Sequence, residues 1–241
     1  MQLLTTSNPK TQKGVKLGYL TAIQHFAPSK LSGKDVCSHA TPECIRFCLN
    51  KAGRGGIFPK GETTNKIQQA RIARTRFFYE DRGAYTEKLF REIWAHQRKA
   101  DKLGLEPAVR LNGTSDLDWV SLMPELFLTF RRVQFYDYTK NPDIYKHYYS
   151  FGEPSNYYLT FSLSESNLED AERFVANGGN SAVVFDHVPL VWRDVPVIDG
   201  DGSDLRFLDK PGRWVGLKAK GKLRQSNSPF KIGPKIMEAG A

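Results

Sequence analysis

All three cysteines of the chain, Cys37, Cys44 and Cys48, fall within twelve residues, spaced C-x6-C-x3-C. Three thiolates that converge on one point hold a metal ion or cluster and leave one coordination position open. Cys44 and Cys48 lie four apart, so a helix through both puts their thiols on one face. Pro42 suits the first turn of that helix and Thr41 its cap, while Cys37 reaches in from the preceding loop. The spacing leaves several outcomes open. They are an iron–sulphur cluster or open metal site, a zinc site closed by His39, small buried thiols with no metal, and a disulfide with one thiol left over. Gly53, Arg54, Gly55 and Gly56 follow as a basic glycine turn that suits an anion or serves as a plain loop.

A second group of chemically capable residues sits at the ends of short β-rich runs. Asn112, Thr114, Ser115 and Asp116 end one run; Asp137, Tyr138 and Lys140 end the next; Ser162 and Glu165 end a third; Lys218 and Lys220 end the last. Asp116 and Asp137 are the candidates for a general base or a nucleophile, because a carboxylate in a partly dry pocket is tuned toward proton transfer near neutral pH. The ordinary role of aspartate at a strand end is a turn former or helix cap. Lys218 and Lys220 alternate onto one face, where they grip phosphates or simply charge a sheet edge.

Positioning these tips requires an alternation of strands and helices. Residues 17–26 read as the first strand, with the cysteine loop after it, and residues 1–16 as an extended arm. Residues 64–103 carry a helical apolar stripe, broken near Gly83. Strand-like runs follow near 107–112, 133–138, 157–162, 181–186, 195–198 and 214–220, with helices between them. Strand, polar tip, helix, repeated, predicts an α/β fold with parallel strands: a partial or complete (β/α) barrel over residues 1–222, and a loose tail from 223 to 241. In barrels of this kind the chemistry lies on loops at the carboxyl ends of the strands. An open doubly wound sheet is the second possibility.

The chain has 241 residues and a formal charge of +9, which favours a polyanionic partner, with nucleic acid or a nucleotide the commonest. No apolar run approaches a membrane span, and the N-terminal residues lack a signal-peptide apolar core, so a cytoplasmic location is expected. Oligomeric state is not legible.

Several motifs together resemble the bacteriophage gene product 88 family: residues 3–11, residues 17–22, the cysteine loop with Gly53-Arg54-Gly55-Gly56, residues 110–116, residues 134–140 and residues 215–222. The resemblance implies a phage or prophage origin, hence a host cytoplasm, and little about activity. More distantly, the chain resembles radical-SAM-type barrels, which place a three-cysteine loop after the first strand and a polar glycine-containing tip after the second. Their usual loop is C-x3-C-x2-C, which differs from the spacing here. That likeness implies a cluster on Cys37, Cys44 and Cys48 and a use for S-adenosylmethionine. Transglycosylases that exchange guanine for deazaguanine in nucleic acid are also β/α barrels with aspartates at strand ends, although their glycine-rich base-binding motif has no clear copy here. Three functions are therefore expected in turn: a metal-dependent barrel enzyme modifying a nucleic-acid base or nucleotide, a cluster-free transglycosylase, and a zinc-stabilised nucleic-acid-binding protein without catalysis. In the first, Asp116 and Asp137 handle protons, and Asn112, Ser115 and Tyr138 position substrate.

Overall fold

Each β-rich run bounded by polar tips becomes a strand of one sheet. The computed structural model describes residues 1–6, 9–51, 53–145 and 155–233. Its strands are β1 (Leu4–Thr5), β2 (Tyr19–Gln24), β3 (Glu106–Arg110), β4 (Gln134–Thr139), β5 (Tyr157–Ser162), β6 (Ser181–Phe185), β7 (Val191–Trp192), β8 (Val195–Asp199) and β9 (Trp214–Lys218). They lie in the order β1-β2-β3-β4-β5-β6-β9-β8-β7. The run from β2 through β6 to β9 and β8 is parallel, and β1 and β7 add antiparallel edges. The labelled helices are α1 (Pro9–Val15), α2 (Pro42–Arg46), α3 (Lys66–Glu80), α4 (Arg82–Leu103), α5 (Trp119–Leu122), α6 (Pro124–Thr129) and α7 (Leu168–Ala176).

This is a mixed α/β fold on a nine-stranded sheet, and it corrects two expectations. Among the described residues no ladder joins β1 or β2 to β7 or β8, so the sheet is open rather than a closed barrel. Two-residue antiparallel strands occupy both edges, where a closing strand would have to bond. The cysteine loop follows β2, not the first strand, because the supposed extended arm holds β1 and α1.

Side chains alternate between the two faces of each strand. On one face Ala22, Val109, Leu111, Phe135, Tyr157 and Leu159 pack with Phe78, Tyr85, Leu89 and Ile93 of α3 and α4 and with Trp119, Leu126 and Phe127. Asn65 caps α3, its Oδ1 accepting from Gln68 N at 3.0 Å, and Asp81 caps α4 by accepting from Ala84 N at 3.0 Å. The break between the helices falls at this aspartate, two residues before Gly83.

The other face is crossed by residues 203–209. Ala108 and Tyr136 meet Leu205 there, and the Phe207 ring lies 5.0 Å from Tyr19 and 5.5 Å from Tyr136. Lys13 of α1, beside β2, donates to the Asp201 carbonyl just past β8 at 2.6 Å. That bond links opposite ends of the strand order, so the sheet curls around the crossing segment.

Gly113 sits where the tip after β3 passes the end of β2. Its N–H donates to Gln24 O at 2.9 Å, and a Cβ there would lie 2.3 Å from that same oxygen. Gly113→Ala is therefore expected to cost about 1–3 kcal/mol by overpacking. Urea denaturation checks it: a midpoint equal to that of the unaltered chain would show that the tip relaxes without cost.

Candidate functional site at the carboxyl ends of the strands

The tip after β3 is built by its own side chains. Asn112 Oδ1 accepts from Ser115 Oγ at 2.8 Å, Leu117 N at 3.2 Å and Trp119 Nε1 at 3.1 Å. Its amide donates to Leu117 O at 2.9 Å, and Thr114 Oγ1 donates to Phe26 O at 2.6 Å. Asn112, Ser115 and Thr114 are thus engaged in holding the loop. Their work delivers Asp116 to the mouth, where its backbone N–H bonds Val36 O of the cysteine loop at 2.7 Å.

Asp116 Oδ2 accepts the Lys140 N–H at 2.8 Å, whereas its Oδ1 is shielded from solvent and has no hydrogen-bond partner. Burial pushes this carboxyl above the usual aspartate range, against the pull of the Lys140 N–H, Thr139 and the Lys140 ammonium. Lys140 extends from the end of β4, donates from Nζ to Ser162 Oγ at 2.9 Å, and lies 5.6 Å from the Phe230 ring. Glu165 Oε2 and Ser164 Oγ, just past β5, are also solvent-shielded without a partner. Asp116, Lys140, Ser162 and Glu165 therefore come from adjacent strand ends, β3, β4 and β5.

Asp137 lies elsewhere. It follows Tyr136 by one residue, so it projects to the opposite, helix-covered face. It is buried, accepts from Asn112 N at 2.6 Å and from the Tyr157 hydroxyl at 3.3 Å, and its carboxyl is pushed up to about 8, mainly by burial. A carboxyl with a raised folded pKa keeps its proton when the unfolded chain has lost it. Fewer protons are then bound in the unfolded state, so stability falls as pH rises from the unfolded value, about 4, toward the folded value, about 8. Asp137→Asn, always neutral, is expected to gain stability over the unaltered chain as pH rises from 5 to 8. Urea midpoints at the two pH values check this, and a difference independent of pH would contradict it.

Tyr138 lies deeper, on the inner face. The Arg110 guanidinium stacks 4.5 Å from its ring and pairs with Asp204 at 2.9 Å, while the Tyr138 hydroxyl lies 3.4 Å from the same carboxylate. Lys218 is exposed, and Lys220 pairs with Asp201 at 2.5 Å in solvent. The backbone of Arg54 belongs to a 3-10 turn, Gly53–Gly56, and its side chain lies outside the described residues.

The cysteines do not form the expected centre. α2 starts as anticipated, with Thr41 Oγ1 accepting from Cys44 N at 3.2 Å and Pro42 in the first turn. It stops at Arg46, however, so Cys48 is not on the helix and the shared-face geometry fails. The Cys37 S–H points to Thr114 O at 3.8 Å, and burial pushes its thiol up to about 12 and that of Cys48 upward as well. His39 is exposed beside Ser38. All three cysteines are free, and among the described residues no group of three Cys, His, Asp or Glu side chains is placed to hold a metal ion. The iron–sulphur cluster on Cys37, Cys44 and Cys48, the zinc alternative, the S-adenosylmethionine that such a cluster would bind, and metal-dependent catalysis are corrected accordingly.

The C-terminal stretch contributes contacts that sequence reasoning missed. Ile232 N donates to Val184 O at 2.8 Å, Lys231 pairs with Asp186 at 2.5 Å, and Ser228 donates to Glu43 of α2. Residues 223–233 thus run from β6 across to the cysteine loop, with Phe230 against Lys140. The apolar pair Phe230 and Ile232 amid lysines and prolines was the available signal. Residues 234–241 lie outside the described part.

Curled, open, mostly parallel α/β sheets with polar side chains at the carboxyl ends of their strands define the class of protein. The chain belongs to the gene product 88 family, whose model it matches over residues 2–231, a span that includes every strand and the cysteine loop. That match lends no support to a radical-SAM relationship. No curated protein and no solved structure matches the chain. Among the described residues no helix is long and apolar enough to cross a membrane.

Proposed function

We propose that the strand-end mouth acts on a nucleic-acid base without a metal, as a transglycosylase-type base exchange in which Asp116 attacks the sugar carbon. What carries this reading is the Asp116 carboxyl, held at the strand-end mouth by the Lys140 N–H at 2.8 Å with Thr139 close by, and raised above its ordinary range by burial. In the first half-reaction Asp116 bonds to the sugar C1′ and the C1′–N bond breaks, its electron pair leaving on the base, which takes a proton from water. In the second, the nitrogen of an incoming base bonds to C1′, the C1′–O bond breaks, and that nitrogen's proton returns to water. The exchange is redox-neutral and balanced in protons. Lys140 and Ser162 position the substrate, and Glu165 is the neighbouring carboxylate available for proton transfer. The reaction belongs in the host cytoplasm.

Incorporation of labelled guanine into DNA or RNA oligonucleotides tests it. Label is expected in one of the two polymers, dependent on Asp116. No label in either would overturn base exchange. The charge of +9 supports a second function, nucleic-acid binding without turnover, which salt-sensitive binding in the absence of any exchange would favour.

A further inference from the structure

We propose that residues 45–51 and 53–67, the rim between α2 and the start of α3, are the track on which a single-stranded nucleic acid lies as it enters the mouth. The proposal rests on the base-exchange function above and names the form of its substrate. Five residues of this stretch are basic and only Glu62 is acidic. Arg46, Lys51, Lys60 and Lys66 are exposed. Between them stand apolar side chains that the core does not cover: Ile57 is 68% exposed and Phe58 40%. Cations that follow a backbone, interleaved with faces on which bases stack, recognise single strands whatever their sequence.

The rim is pinned rather than loose. Asn65 Nδ2 donates to Gly55 O at 2.9 Å and to Ile57 O at 2.8 Å, and Gln68 Nε2 donates to Gly55 O at 3.0 Å. Arg71 of α3 donates to Asn50 Oδ1. Part of the ordering cost of a binding surface is therefore met before a ligand arrives. The rim is also continuous with the mouth. The Lys140 ammonium is near enough to act on Cys48 of the rim, and an open cleft of about 510 Å³, lined by Glu43, Arg46 and residues 226–229, lies beside Phe230, whose ring is 5.6 Å from Lys140 Nζ. A strand on the rim thus leads to Lys140 and Asp116. A duplex keeps its bases stacked inside, so it would meet only the lysines and leave Phe58 unused.

Fluorescence anisotropy of a labelled 15-nucleotide dT strand, titrated with the full chain at several salt concentrations, tests the track. Each phosphate contact with a single strand contributes about 0.7 to the slope of log affinity against log salt, so Lys51→Ala/Lys60→Ala/Lys66→Ala is expected to flatten it by about 2. Phe58→Ala should weaken binding about 5- to 100-fold with little change of slope. Both changes replace exposed side chains, and circular dichroism checks that each variant is folded. Affinity and slope unchanged in the triple variant would overturn the track; so would a 15-base-pair duplex that binds as tightly as the single strand and is equally insensitive to Phe58→Ala. Measuring dT binding and base exchange on the same rim variants separates the two proposals. Exchange with unaltered binding in the rim variants sinks the track alone, whereas rim-dependent binding with no exchange sinks the base-exchange function alone.

Discussion

Asp116→Asn is expected to lower base exchange by about 10²–10⁴-fold or more while leaving the fold intact. The substitution is nearly isosteric, and an amide oxygen still accepts the Lys140 N–H that Oδ2 accepts at 2.8 Å. What it removes is the negative charge and nucleophilic character of the carboxylate. Because burial raises the Asp116 carboxyl above its ordinary range, activity of the unaltered chain should climb through an acid limb lying above about pH 4. That limb should be absent from whatever activity the variant keeps. Initial rates across pH, with circular dichroism of both proteins, check it. Equal rates would remove Asp116 from the chemistry, and a variant that unfolds would show that its role is structural.

Asp204→Ala is expected to destabilise the protein by about 3–5 kcal/mol, the usual cost of stranding one partner of a buried ion pair. Arg110 and Asp204 side chains are 10% and 13% exposed and meet at 2.9 Å, ninety-four residues apart in the chain. Losing the carboxylate leaves a guanidinium on the inner face with the Tyr138 ring as its remaining neighbour of note, 4.5 Å away. It also unpins residues 203–209, whose Leu205 and Phe207 fill that face. Arg110→Met combined with Asp204→Leu should recover most of the loss, because the stranded charge disappears with its partner. Urea unfolding measures both: a fall in midpoint without change of slope is expected for the single variant. A loss below about 1 kcal/mol would mean that water reaches the pair and screens it.

Local patterns carried much of the fold. The apolar runs around Val109, Phe135, Leu159, Val183 and Val215 became β3, β4, β5, β6 and β9, because β-branched and aromatic residues between polar tips report a pleated, buried segment directly. Closure of the sheet was not legible. It depends on whether distant edges bond, and two-residue strands such as Leu4–Thr5 and Val191–Trp192 are too short to show a period. The placement of β9 between β6 and β8 is likewise a long-range outcome. At the site, clustering of cysteines in sequence suggested convergence in space, but one helix ending at Arg46 undid the geometry. Asp116 and Asp137 looked alike as strand-tip aspartates. Asp137 lies within β4 on the face beneath the helices, where it meets Tyr157, whereas Asp116 lies on the loop after β3. The partnership of Arg110 with Asp204 left no local trace.

Intact-protein mass spectrometry after acid quench of a reaction with single-stranded oligonucleotide tests the central claim most directly. The account predicts a mass increase equal to the oligonucleotide less one base, localised by peptide mapping to Asp116 and absent from Asp116→Asn. An adduct on any other side chain, or none while exchange proceeds, would contradict it.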